Sequence, residues 1–554
     1  MKLFGFAVLL ATISCAFLSA QDLSPADQTA ADVAMKVIRP EAIAAHMRLL
    51  SDDLLEGRQT GARGHEIAAR YVATELESMG LAPAGVNGTW FQPVPLRKVD
   101  LVPEQSSFEL VRDGKAQTLT FAEDYIMGGN ALETNANVQA GVVYVGFGVS
   151  APEFKYDDYA GVDVHGKVVV ILRGAPPRFA STERAYFSDG VVKARNAAAH
   201  GAVGIITILQ PEFFERYKWS WMVPQVRAGT MRWLDPKGTP ADTVLEIRAG
   251  ALMNESGAAA LFAGAAKTLP EIFAASRESQ PSSFALPVSV KIHTVSRYTP
   301  VESHNVVAKL AGSDAALAQE YVVFTAHVDH LGICRPGEED TICHGAWDNA
   351  SGTSAVLEVA RAFSSLQRAP RRSILFILVT GEEKGLLGSD YFAHFPTVPI
   401  ENIVADVNID GVGGLLWPNK DIVPLGVEHS SLSKDVEAAA RNMGYTISPD
   451  PIPEEVIFIR SDQYSFVKQG VPAVFMSPGI QSADSKVDGA AVFRQWISSI
   501  YHTPKDNMSQ PFYFDSAARF TGLSFLVGFE IAQQAGRPTW NAGDFFGTKF
   551  AQKH

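Results

Sequence analysis

At 554 residues the chain exceeds what one compact core accommodates and implies two or three domains. Hydrophobic residues at 47% and charged residues at 19%, with no long low-complexity tract, exclude a disordered or fibrous chain. The net charge of -13, spread over both halves without a large basic block, excludes the electrostatic footprint of a nucleic-acid or anionic-lipid binder.

The chain starts Met1-Lys2, continues through an apolar run over residues 3–18, and reaches Ser19-Ala20, the form of a secretory signal with predicted cleavage after Ala20. The run is short for a bilayer span and Gln21-Asp22 adds no basic stop-transfer cluster. No stable membrane association is therefore expected after cleavage, and the mature chain is expected in the periplasm or the medium. Lipidation at Cys15 is the weaker alternative, because Thr12-Ile13-Ser14 departs from the Leu-x-x-Cys pattern. Cleavage leaves only Cys334 and Cys343, predicted to pair as a disulfide in an oxidising compartment. Two cysteines without a second cysteine or histidine pair do not make a structural zinc motif.

Residues 40–81 read as two helices, with Ile43, Met47 and Leu50 at helical spacing and Met79-Gly80 ending the second. From about 100 to 290 the chain turns β-rich, with Gly141-Val142-Val143-Tyr144-Val145 and Lys167-Val168-Val169-Val170-Ile171-Leu172 set between turn residues. Tyr156-Asp157-Asp158-Tyr159-Ala160-Gly161 leads toward the second of these strands, and a helix over 193–204 precedes Ile205-Ile206-Thr207-Ile208. That order resembles a protease-associated domain over residues 130 to 280, which implies framing of a cleft rather than chemistry. Beyond 290, apolar strands over 321–326, 374–379, 403–409 and 473–476 alternate with helices over 351–366, 384–395 and 432–443. Alternation of this kind predicts an α/β layer with a largely parallel sheet, whose ligands gather outside the strand C-terminal ends.

Five segments stand out, four of them there or at helix starts: Ala326-His327-Val328-Asp329-His330, Trp347-Asp348-Asn349-Ala350-Ser351-Gly352, Thr380-Gly381-Glu382-Glu383-Lys384-Gly385, Asn408-Ile409-Asp410-Gly411 and Tyr501-His502-Thr503-Pro504. In this order they resemble the co-catalytic zinc aminopeptidase family, which also holds glutamate carboxypeptidases, glutaminyl cyclases and transferrin receptors. The likeness covers about residues 290 to 535 and the leading helices. It implies a three-layer α/β/α catalytic domain with a mixed, largely parallel central sheet, interrupted by the β-rich insert. The expected division is a signal at 1–20, a leading part at 21–125, the protease-associated insert at 126–288, the catalytic domain at 289–540 and a tail at 541–554.

Zinc takes imidazole nitrogen and carboxylate oxygen in a shell that keeps a place for water. The resemblance implies two zinc ions per chain, with His327 and Asp410 on one, Glu383 and His502 on the other, and Asp348 across both. It implies that Asp329 accepts a hydrogen bond from the His327 imidazole, and that a non-prolyl cis bond joins Asp348 to Asn349. Glu382 would be the general base for a water between the metals, passing its proton to the departing amine, and Tyr501 would help hold the oxyanion. Arg460-Ser461-Asp462-Gln463-Tyr464-Ser465-Phe466 resembles the family's Ser-Asp-His-x-x-Phe stretch, with Gln463 in place of the frequent histidine. Arg460 is a candidate substrate contact or a structural ion pair. His330, His344 and His394 match no ligand position and are expected at the surface or behind the ligands. Trp347 is expected to line the pocket or to pack.

The expected function is exported di-zinc peptidase action on peptide substrates, foremost removal of N-terminal residues. Carboxypeptidase or dipeptidase action of the glutamate carboxypeptidase type, and a receptor-like binding role without catalysis, stay open as alternatives.

Overall fold

The computed structural model describes residues 23–216, 218–280, 282–335 and 339–551. The expected signal at 1–20, with Cys15, lies outside the described residues. Among these residues no helix is long and apolar enough to cross a membrane.

Four strands run parallel at the centre of the catalytic sheet, in the order Ser373–Val379, Tyr321–His327, Ile403–Asn408 and Ala473–Pro478. Antiparallel strands flank them, Asp421–Leu425 on one side and the end of Ser283–Leu310 on the other. Side chains alternate along each strand, so a parallel sheet with two covered faces needs apolar residues throughout. Tyr321–His327 is buried at every position. Val322, Phe324 and Ala326 join the larger core, while Tyr321 and Val323 join a smaller cluster with Phe392 and Phe466. The 20-residue helix Phe514–Gln533 lies over the first face. There Phe525 packs 4.6 Å from Phe363, and a methyl group at Gly528 would lie 2.2 Å from the Phe324 ring. Helices on both sides of a mixed, largely parallel sheet make this the three-layer architecture expected of the sequence.

The β-rich unit has a second sheet in which Asn135–Val145, Val168–Leu172, Gly204–Ile208 and Ala249–Met253 pair in parallel order. Its core also takes Val423, Leu425, Phe458 and Phe546, so the unit is packed against the catalytic layer. The boundary expected between 288 and 289 falls inside a continuous strand, Ser283–Leu310. Residues 283–295 of that strand pair with Asn135–Val145, and residues 296–306 pair with Phe91–Leu101 in the catalytic sheet. One continuous strand, with a register shift near Pro287, carries the chain from one sheet to the other without a linker.

Candidate metal centre

The parallel strands deliver the chemistry at their C-terminal ends. His327 is the last residue of its strand. Its neighbour ends at Val379, after which Gly381, at φ +70°, turns the chain into the single helical turn Glu382–Lys384. Asp410 lies two residues past Ile403–Asn408. Asp348 sits on the tight turn before the helix Gly352–Ser364, and its peptide bond to Asn349 is cis, as expected. His502 follows the helix Gly489–Ser499 in a left-handed conformation, φ +57°.

These residues converge. His327 Nε2 is 3.3 Å from Asp348 Oδ1 and 3.3 Å from Asp410 Oδ1. His502 Nε2 is 3.2 Å from Asp348 Oδ2 and 3.2 Å from Glu383 Oε2. Asp348 thus shows one oxygen to each imidazole. A tetrahedral zinc with bonds of about 2.0–2.1 Å has donor-to-donor edges of roughly 3.3 Å, which matches all four separations. His502 Nε2 is buried, 3.2 Å from each carboxylate, and aligned for a hydrogen bond with neither. The donor set therefore fits two zinc positions sharing Asp348.

The electrostatics favour a cation. Burial lowers the imidazole pKa values, but Asp410 and Glu382 outweigh it at His327, and Glu383 and Asp348 lift His502 to about 10. Burial pushes Glu383 up, yet His502 and His330 hold it well below the usual carboxylate range. Glu382 behaves oppositely. Burial, with the charges of Asp410, Glu383 and Asp462, pushes it well above that range against the pull of His327. Its Oε2 lies 3.9 Å from His327 Nε2, farther than the 3.3 Å edges to Asp348 and Asp410.

Neighbouring residues fix the ligands. Asp410 Oδ2 accepts the Ser461 hydroxyl at 2.7 Å. Asp506 accepts the backbone N–H of Trp347 at 2.8 Å and of Asp348 at 3.1 Å. The buried Arg58 guanidinium donates to the carbonyls of Val328, His344, Gly345 and Leu50. That pins the loops after His327 and before Asp348. Neither Asp506 nor Arg58 was readable in the sequence, since one lone aspartate and one arginine carry no motif; Asp506 offered only its place four residues past His502.

One expectation changes, that for Asp329, and two open alternatives narrow. The His327 ring donates through Nδ1 to the backbone carbonyl of Asp329 at 3.1 Å, while the Asp329 carboxylate lies 3.9 Å away. That carboxylate is taken by stronger local partners, the Thr60 hydroxyl at 2.9 Å and the Glu382 backbone N–H at 3.1 Å. Arg460 pairs with Glu455, 3.5 Å to its carboxylate and 3.3 Å to its carbonyl, the ion-pair alternative, with its side chain 41% exposed. Of the two places expected for it, His330 takes the buried one, against Glu383, 2.6 Å from its Oε1.

The Tyr501 ring stacks on that of His502 at 3.7 Å, and burial with the Asp348 charge pushes its hydroxyl well above the usual phenol value. Gln463 accepts from Asn408 at 2.9 Å and donates to the Phe458 carbonyl at 2.6 Å. Trp347 donates to the Val412 carbonyl and packs 5.5 Å from Trp496. His344 faces Asp340, and His394 donates to the Asp390 carbonyl. Cys334 and Cys343 form a disulfide, Cα atoms 5.7 Å apart.

Known proteins match this arrangement. A probable zinc metalloprotease of Leptosphaeria maculans is 35% identical over 114 residues, 21% of this chain and 25% of its own length. Mouse aminopeptidase NAALADL1 is 26% identical over 309 residues, 49% of this chain and 38% of its own. The matched region thus spans well under half the length of these curated relatives. The structure of an aminopeptidase from Aneurinibacillus sp. strain AM-1 superposes with a TM-score of 0.51 over 91% of this chain and 95% of its own. At 20% identity that is a likeness of fold. Residues 305–522 match the model of peptidase family M28 and residues 138–227 that of the PA domain. Residues 305–522 thus form a peptidase family M28 region, with a PA-domain region ahead of it.

Proposed function

We propose that the chain is an exported zinc metallopeptidase that removes N-terminal residues from peptides, with two zinc ions as its cofactors. The observation that carries this reading is the division of Asp348, one oxygen toward His327 and the other toward His502, with Glu382 beside the pair.

His327, Asp410 and Asp348 would hold one ion, and Glu383, His502 and Asp348 the other. Zinc held there supplies Lewis acidity toward a peptide carbonyl and toward water. Glu382, kept off the ligand edges and pushed up by burial, is suited to take a proton from an attacking water and return it to the leaving amine. The Asp329 hydrogen bond to its backbone N–H sets its direction. Tyr501, held against His502, is placed to steady the carbonyl oxygen as charge develops there. Aminopeptidase action is favoured because the mouse relative and the Aneurinibacillus protein are named aminopeptidases. Arg460 is paired with Glu455, so nothing singles out the acidic peptides of a glutamate carboxypeptidase. Export rests on the leading residues and on the disulfide.

The test offers the zinc-loaded chain a set of peptides blocked at one end. Cleavage of C-blocked peptides with a free amine, and none of N-blocked peptides, is the expected result. The reverse preference would make the enzyme a carboxypeptidase, and cleavage of neither would end the peptidase reading.

A further inference from the structure

His330, expected at the surface or behind the ligands, is closed into the site. Its backbone N–H donates to the Arg58 carbonyl at 3.1 Å. Its ring rests on Gly345, where a methyl group would sit 2.6 Å from Cγ. Gly345 has φ +59°, so both backbone conformation and space reserve that position for glycine. The imidazole is thereby held in one place, with its Nδ1 2.6 Å from Glu383 Oε1.

That contact is no hydrogen bond. Both ring nitrogens of His330 and Glu383 Oε1 are buried without a hydrogen-bond partner. At 2.6 Å the separation is short enough for one, so what is missing is the alignment. His502 Nε2 stands in the same relation to Asp348 and Glu383. Donor atoms of His330, Asp348 and Glu383 all lie within 4.8 Å of one another, the compactness also seen for His327, Asp348 and Asp410. The rings of His330 and His502 are 5.8 Å apart between centroids and inclined by 71°. Two imidazoles sharing one zinc at about 2.0–2.1 Å have centroids roughly 5–6 Å apart.

We propose that His330 is a further protein ligand of the metal position formed by Glu383, His502 and Asp348, binding through Nδ1. This rests on the reading of the chain as a zinc protein. The consequence is asymmetry. The His330 position takes two imidazoles and two carboxylates, whereas the His327 position takes one imidazole and two carboxylates. The nitrogen-richer position binds zinc more tightly, and chelation removes the His327 zinc first.

The test titrates zinc into the metal-free full chain against a chromogenic chelator, for wild type, His330→Ala, His330→Gln and, for reference, His502→Ala. Two zinc ions of unequal affinity are expected in wild type. Both His330 variants should weaken the tighter ion by more than about 100-fold, beyond the 10–100-fold of a residue that merely orients a ligand. The same ion should weaken in His502→Ala. Unchanged affinities in His330→Ala overturn the proposal, and so does recovery in His330→Gln, which marks a hydrogen-bonding role. A wild-type chain that binds no zinc overturns the zinc reading itself and this proposal with it. Should the variants fail to fold, a crystal structure of the zinc-loaded wild type decides. His330 Nδ1 at about 2.0–2.1 Å from the metal supports the proposal, and a separation beyond about 3 Å overturns it.

Discussion

The backbone N–H of Glu382 donates to the Asp329 carboxylate at 3.1 Å, and the other oxygen of that carboxylate accepts the Thr60 hydroxyl at 2.9 Å. Asp329 therefore acts on the proposed base through its backbone, not on the His327 ring. Asp329→Asn must turn an amide N–H toward one of the two donors. It is expected to lower kcat/KM by about 10–100-fold while zinc content stays at the wild-type level. Metal analysis beside steady-state kinetics checks this; loss of zinc in step with activity would place Asp329 behind His327 after all.

Gly411 follows Asp410 at φ +73°, and a methyl group there would lie 2.5 Å from the Trp347 ring. Trp347 adjoins Asp348, so relief of the clash moves two ligand segments at once. Gly411→Ala is expected to cost about 1–3 kcal/mol in urea unfolding and at least about tenfold in activity. Gly536→Ala, with open space around it, is the control and should change neither.

The disulfide joins residues nine apart in sequence. Its hairpin, Gly332–Ile333 with Ile342–Cys343, packs on Gly57, where a methyl group would lie 2.4 Å from the Cys343 carbonyl. Closing a loop of this size stabilises by about 2–3 kcal/mol. Reductant should shift wild-type unfolding by that amount and leave the double variant Cys334→Ser, Cys343→Ser unmoved. Equal shifts in both would assign the effect elsewhere.

Asp435, on the helix Leu432–Met443, is buried and accepts the Gln534 amide. Burial lifts its carboxyl from 3.8 to about 7. The folded chain then holds this proton more tightly than the unfolded chain, so the contribution is fully present below about pH 4 and is lost as pH rises toward 7. Asp435→Asn keeps an acceptor for Gln534 and drops the charge. The variant should match wild type below about pH 4 and exceed it by roughly 2–4 kcal/mol at about pH 8. A constant difference across that range would rule out ionisation as the cause.

Much of this architecture was open to reading from residues alone. The helix Leu432–Met443 coincides with its apolar periodicity and with Gly444, left-handed at φ +71°, as its stop. The four parallel strands are apolar runs because both sheet faces are covered. Other features leave no local trace. Phe514–Gln533 is buried on most sides, which blurs the one-faced pattern that marks a helix. Ser283–Leu310 crosses two sheets as one continuous strand, so no turn flags the passage. Arg58 and Asp506 reach the site through backbone groups, which no spacing of side chains records. His330 was left between two places for a related reason: its position beside a ligand motif says nothing about which way its ring packs.

The most direct measurement is turnover of an unblocked aminoacyl p-nitroanilide by zinc-loaded Glu382→Gln. The account predicts a fall in kcat of about 10²–10⁴-fold with two zinc ions per chain retained. Activity within about tenfold of wild type at the same zinc content would contradict it, because Glu382 could not then be the proton carrier.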